Sequence, residues 1–276
     1  MTLLDTPLGR LNVKDTGTQT HAPALLLTHA FAGSHHAWDP LIDKLSRTRR
    51  VIAVDLLGHG ESDKPKRGYT MPDQAHAVCA VLDQLDVDQV VGVGHSGGGD
   101  VIVAMIEHHP QRLSGAVLLG TPPNLTYVEL PIAARALSAP LLGTLIWKLL
   151  TDNTIKNSLT KTFAPHFTPT EEIYATLIAD LRHMTHHSYI HARRHVERYR
   201  KQEDLTRRTT QSKIPLLIIF GDQDQWVQPQ AATHWAQTTD AHIQLLAGVG
   251  HTPMTEAPGA TAELIINFAQ TPQLVE

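Results

Sequence analysis

The chain is predicted to be an α/β protein, a mostly parallel sheet with helices on both faces and an inserted helical cap. Three observations point there. Short apolar runs rich in β-branched residues alternate with longer stretches of helical spacing. Those runs are apolar at consecutive positions, as strands covered on both faces must be, whereas a half-exposed antiparallel sheet would alternate apolar with polar residues. The alternation then stops between Pro122 and about Ser212 and resumes afterwards.

Taken in order, the N-terminal stretch LLDTPLGRLNVKDTG reads as an antiparallel hairpin on one edge. The buried strands are ALLLTH (24–29), VIAVDL (51–56), VVGVGH (90–95), AVLLG (116–120), PLLIIF (215–220) and HIQLL (242–246). Within the strand-free region, Leu130 to Leu150, Asn153 to Phe163, Thr170 to Tyr189 and His191 to Leu205 carry apolar residues at three and four spacing, so each is expected to be a helix packed over something. The expected division is a first core segment at 1–122, a helical cap at 123–212 and a second core segment at 213–276. An insertion that leaves after one strand and returns before the next lies over the carboxyl ends of the strands, where open α/β sheets bind ligands. It would form a lid.

Composition narrows the function classes. The 276 residues are 42% hydrophobic, and 23 basic against 27 acidic residues leave a formal charge of −4. No basic surface for nucleic acid or anionic lipid is announced, so the expected partner is a small molecule; pairing as a homodimer stays open. Cys79 is the single cysteine, set at helical spacing in HAVCAVLDQL, and reads as a buried inert thiol. MTLLDTPLGR lacks the features of a signal peptide. The longest hydrophobic region, Leu137 to Leu150, is interrupted by Pro140, Gly143 and Lys148 and is short of the ~20 residues of a membrane span. A cytoplasmic location is expected.

The chemistry gathers around Ser96, in VVGVGHSGGGD. Gly94 and Gly98 flank it in a GxSxG pattern, in which a sharp strand-to-helix turn lifts a serine hydroxyl clear of the backbone. A base and an acid are then expected at later strand ends. FGDQDQWVQP offers Asp222 and Asp224, and GVGHTPMTEAP offers His251. Imidazole suits the base because it can accept the serine proton and return it to the leaving group near neutral pH.

Together, HAFAGS (29–34), DLLGHGESDKP (55–65), GHSGGG (94–99), GDQDQWV (221–227) and GHTPM (250–254) make the chain resemble the α/β-hydrolase family across nearly its whole core. The resemblance fades in the lid. It implies Ser96 as nucleophile, His251 as general base and Asp224 as the acid, at the GxxDxxV position. Asp222, directly after Gly221, reads as a turn former, and GTPP (120–123) offers no carboxylate for the family's other acid site. The resemblance also implies an oxyanion hole from the backbone N–H groups of Phe31 and Gly97. Ala30 and Ala32 depart there from the commoner HGFPG form, and a methyl group at 30 restricts a backbone position usually left free.

Other readings of the same residues are weaker. Gly92, Gly94 and Gly97 spell GxGxxG, but on an interior strand, and the next strand ends in Leu118-Leu119-Gly120-Thr121 with nothing to grip a ribose. No cofactor is expected. His183, His187, His191 and His195 invite a metal site, yet steps of four along one helix drift by roughly 40° each, so the four cannot converge on one ion. They read as a polar helix face, and no metal is expected. His29 and His95 read as hydrogen-bonding scaffold. Trp147 and Trp226 are the expected pocket walls among the aromatic residues.

The function implied is a cofactor-free serine hydrolase acting on a small, fairly apolar carboxylic ester or lactone. Serine at 96 speaks against epoxide hydrolases and haloalkane dehalogenases of this fold, whose nucleophile is an aspartate. Thioesterase, C–C bond hydrolase, perhydrolase or haloperoxidase-like activity stays open, as does a noncatalytic ligand-binding protein on the same fold.

Overall fold

In the computed structural model, which describes residues 1–17, 22–129, 137 and 142–270, the apolar runs pair into one eight-stranded sheet. In chain order its strands are β1 (Thr2–Leu4), β2 (Leu11–Asp15), β3 (Ala24–Thr28), β4 (Val51–Val54), β5 (Val90–His95), β6 (Leu113–Leu119), β7 (Leu216–Gly221) and β8 (His242–Leu246). Across the sheet they run β1-β2-β4-β3-β5-β6-β7-β8. The six strands from β3 to β8 are parallel, with Leu26 opposite Ile52 on one side and Gly92 on the other. β1 and β2 form the antiparallel edge, where Val13 pairs with both Thr2 and Val54.

Successive side chains of a strand point to opposite faces, and the core divides accordingly. Leu25, Leu27, Val51, Ala53, Val117 and Leu119 pack on one face against Leu41 and Leu45 of the helix Asp39–Ser46 and Ile265 of the helix Pro258–Gln270. Leu26, Ile52, Val54, Ala116, Leu118 and Ile218 pack on the other against Val78 and Leu82 of the helix Met71–Gln84, Ile102 of the helix Gly97–His108 and Trp235 of the helix Gln230–Thr238. Each of the buried Leu, Ile and Val side chains stabilises the fold by about 1.5–3 kcal/mol relative to exposure, which makes the sheet a rigid platform for the loops at its rim.

Between β6 and β7 the described chain is helical: Leu142–Leu149, Asp152–Leu159, Glu171–His183, His186–Gln202 and Leu205–Thr210. The first part of the predicted helix from Leu130 to Leu150 lies outside the described residues, apart from Leu137. The break expected after Tyr189 falls earlier, at Met184 and Thr185. Thr185 Oγ1 accepts from Ser188 N at 3.0 Å while Ser188 Oγ accepts from Thr185 N at 3.1 Å, a reciprocal cap that starts a new helix inside an apolar pattern that runs on without interruption. His183 therefore stands on a different helix from the other three histidines. His187 and His191 stack with ring centroids 4.1 Å apart, and His183 Nε2 lies 3.3 Å from Glu61.

Cys79 is buried, which pushes its thiol up to about 11. Among the described residues no helix is long and apolar enough to cross a membrane.

Candidate active site

Ser96 is where β5 gives way to the helix Gly97–His108, and its backbone is folded into a strained turn with φ 49° and ψ −113°. A non-glycine residue in such a region costs on the order of 1–3 kcal/mol. Close chain passage makes the flanking glycines necessary. A Cβ on Gly94 would sit 2.6 Å from Gly99 Cα, and one on Gly98 would run into the carbonyl oxygens of Thr28 and His29. Ser96 N donates to Leu119 O at 2.8 Å, which ties the turn to the end of β6 and leaves the side chain partly exposed.

Asp224 lies in the turn after β7. Its Oδ1 accepts from Trp226 N at 2.8 Å and Val227 N at 2.9 Å, and its Oδ2 accepts from His251 Nδ1 at 2.7 Å. Both carboxylate oxygens are thus directed, and the residue is buried. Asp222 is exposed and accepts from Gly248 N at 2.7 Å, which braces the turn after β8.

His251 follows β8 and is held from three sides. Its N–H donates to Thr162 O at 3.0 Å, its carbonyl accepts from His95 Nε2 at 2.7 Å, and its Nδ1–H donates to Asp224. That last bond leaves Nε2 as the free acceptor of the ring. Gly120, the residue after Leu119, lies against the imidazole: a Cβ there would be 3.2 Å from it. Ser96 and His251 therefore share one rim, on either side of the end of β6. Among the described residues no hydrogen bond joins the Ser96 hydroxyl to His251 Nε2; such bonds commonly tighten only once substrate is bound.

His95 and His29 are struts. Burial pushes His95 down to about 3, so it is neutral and its Nε2–H supports the His251 backbone. His29 Nδ1 donates to Ala30 O at 2.7 Å and its Nε2 accepts from Leu56 N at 3.0 Å, and burial holds its pKa below the ordinary range. Together with Gly33 N donating to Ala30 O at 3.0 Å, these bonds shape the loop that carries Phe31.

Phe31 N lies 3.1 Å from where a Cβ of Gly97 would stand, so the Phe31 loop passes directly against the residue after Ser96. Gly97 opens its helix, and its N–H has no acceptor within that helix. The backbone constraint in this loop falls at Ala32, with φ 61°, and Ala30 is not in the left-handed region. Position 32 is one a proline could not occupy, because its ring locks φ near −65°.

A narrow cavity of about 20 Å³ adjoins Phe31 and Gly97 and is lined further by Leu56, His59, Met71, Val101 and Val196. These residues lie in strand-end loops and on helix faces whose sequence pattern reads as ordinary core. His59 Nδ1 donates to Leu57 O at 3.1 Å, and burial pushes the ring down to about 3, so it contributes no charge. Trp147 and Trp226 do not line this cavity. Trp147 packs against Tyr189 with ring centroids 5.1 Å apart and planes tilted by 46°, and Tyr189 in turn rests 5.0 Å from Phe31; Trp226 packs against the core and donates from Nε1 to Thr162 Oγ1 at 3.3 Å.

Two buried carboxylates that sequence reading passed over hold the rim loops. Asp55 accepts from His35 N and Nδ1, Asn12 Nδ2 and Glu61 N, and although burial opposes ionisation, these donors keep its carboxyl well below the usual range. Asp180, on the helix Glu171–His183, accepts from Ser34 Oγ at 2.7 Å through Oδ1, while its Oδ2 is buried without a partner. Its burial pushes the carboxyl up to about 6.

Comparison with known proteins agrees with this architecture. Residues 23–258 match the family described as alpha/beta hydrolase fold, and the chain belongs to that family. A protein of Mycobacterium tuberculosis, described only as uncharacterized, is 27% identical over 267 residues, covering 92% of this chain and 77% of its own. Among solved structures, the enol-lactonase from Burkholderia xenovorans LB400 superposes with a TM-score of 0.82 at 21% identity, over 97% of this chain and 99% of its own. An esterase from Exiguobacterium antarcticum gives 0.80 at 19% identity, over 95% and 96%.

Proposed function

We propose that this protein is a serine hydrolase that cleaves a small, fairly apolar carboxylic ester or lactone through an acyl-enzyme. The observation that carries this reading is the His251–Asp224 pair at 2.7 Å, set across the end of β6 from a serine held at φ 49°. In the proposed reaction Ser96 Oγ attacks the carbonyl carbon while His251 Nε2 takes the hydroxyl proton. Asp224 fixes the Nδ1–H tautomer and supports the imidazolium that forms. The N–H groups of Phe31 and Gly97 receive the developing oxyanion. Collapse of the tetrahedral intermediate breaks the bond to the alkoxy oxygen, which leaves with the proton from His251. Water, deprotonated by His251, then attacks the acyl-enzyme and the free acid departs with Ser96 restored.

Substrate binding closes the Ser96–His251 bond in this scheme. The residues from 123 to 212 act as the cap, with Trp147 reaching the Phe31 side of the site only through Tyr189. The apolar lining next to Phe31 and Gly97 favours an uncharged acyl group. The esterase and lactonase among the similar structures are in keeping with this substrate class. A panel of esters and lactones graded by acyl length, run on wild type and Ser96→Ala, tests the reading. Turnover of at least one neutral ester or lactone that disappears in the variant supports it; a panel with no turnover, or one unchanged in the variant, refutes it.

A further inference from the structure

On the flank of the molecule, the end of the helix His186–Gln202 packs near the start of the helix Met71–Gln84, and a cavity of about 350 Å³ lies between them. Besides Thr70, its polar lining comes from His108, His195, Arg198, Tyr199, Gln202 and Arg208. Each of these can donate a hydrogen bond, two carry guanidinium groups, and no lining residue is acidic. Met71 and Pro72 supply an apolar wall.

Three carboxylates stand close to the lining: Glu203 Oε2 is 3.9 Å from Arg208 Nη1, Asp73 acts electrostatically on His195, and Glu107 is already engaged. Both oxygens of Glu107 accept from Arg208 Nη1 at 2.8 Å, Tyr199 OH donates to it at 2.8 Å, and His108 Nε2 lies 3.6 Å away. Arg208 is further held over the Tyr199 ring at 4.0 Å, so the floor of the cavity is ordered before any ligand arrives. Arg208 Nε is buried with no acceptor. Arg198 is exposed and makes no ion pair with another described residue. The balance is a donor-rich concavity with an uncommitted guanidinium on its edge.

We propose that this cavity binds a small organic oxyanion, a phosphate or carboxylate on a compact apolar body, gripped by Arg198 with His195, His108 and Gln202. A guanidinium fork meets two oxygens of such a group at once, which a solvated surface lysine does not. The volume falls in the range of small-molecule pockets, about 300–1,000 Å³, and is more than a bare ion needs. The site is separate from the Ser96 rim, since none of Ser96, Asp224 and His251 lines it. Met71 nevertheless lines both this cavity and the one beside Gly97, and the helix His186–Gln202 turns Val196 to one and His195 to the other.

Isothermal titration of phenyl phosphate, benzoate and inorganic phosphate into wild type, Ser96→Ala and Arg198→Glu tests this. Saturable binding of phenyl phosphate or benzoate is expected in wild type and Ser96→Ala, weakened by about tenfold or more in Arg198→Glu. Tighter binding of phenyl phosphate assigns the phosphate, and tighter binding of benzoate the carboxylate. Because Arg198 is exposed, the variant is expected to fold, and circular dichroism checks it. No saturable binding of any of the three at about 10 mM, equal affinity in Arg198→Glu, or loss of binding in Ser96→Ala overturns the proposal.

Discussion

Asp180 sits in a place that penalises its charge. Ser34 Oγ satisfies one oxygen at 2.7 Å, the other has no partner, and the residue is only 2% exposed. Burial raises its carboxyl from 3.8 to about 6. The folded value lies above the unfolded one, so the favourable contribution is complete below about 3.8 and is lost as pH rises through 6. Integrating the linkage, ionising Asp180 costs the folded state about 1.6 kcal/mol at pH 5 and about 3 kcal/mol at pH 8. Asp180→Asn removes the titration and keeps an oxygen for Ser34. The stability of Asp180→Asn relative to wild type, from urea unfolding, is therefore expected to grow by about 1.4 kcal/mol between pH 5 and pH 8. The absolute offset between the two proteins also contains a buried amide N–H, which is why the change with pH is the quantity to read. A difference that stays flat, or shrinks as pH rises, would refute the reasoning.

Further outcomes follow from the same geometry. Asp224→Asn is expected to lower kcat by about 10⁴ through the wrong imidazole tautomer, with Asp222→Asn retaining most activity; the reverse order in steady-state kinetics would reassign the acid. Ala32→Pro cannot adopt φ 61° and so displaces Phe31, with an expected loss in kcat/KM of about 100-fold or more, while Ala32→Gly relieves up to about 1 kcal/mol of strain in a thermal unfolding assay. Arg200 holds Asp100 by two bonds, 2.8 Å from Nε to Oδ1 and 2.5 Å from Nη2 to Oδ2, with both side chains buried. Arg200→Leu leaves an unpaired buried carboxylate and is expected to cost about 3–5 kcal/mol in urea unfolding, most of it recovered in the double variant with Asp100→Leu.

Much of the sheet was legible because its strands are continuous apolar runs with turn residues at their ends. VVGVGH becomes a buried strand over its predicted residues and ALLLTH one over Ala24–Thr28. HIQLL becomes a strand at its predicted limits but not a buried one, because β8 is the edge of the sheet and leaves His242, Gln244 and Leu245 exposed. Helix limits were less legible, since apolar spacing continues through Met184 while a side-chain cap at Thr185 ends one helix and starts another. For the candidate site, Ser96, Asp224 and His251 stand out because glycine spacing and strand ends mark them. The Asp55 network, the Asp180–Ser34 bond and the His59-lined cavity were hidden, because each joins residues far apart in sequence: Asp180 meets Ser34 across 146 positions. The position of backbone strain was also misplaced by pattern alone. It depends on φ at Ala32, and a comparison of side-chain types pointed to Ala30 instead.

The measurement that bears most directly on the proposed chemistry is reaction of the folded protein with a fluorophosphonate, followed by peptide mass spectrometry. One adduct per chain, on Ser96, is expected in wild type and none in Ser96→Ala, whose kcat falls by up to ~10⁶. A wild-type protein that stays unmodified at Ser96, or that is modified equally in the alanine variant, would contradict the account.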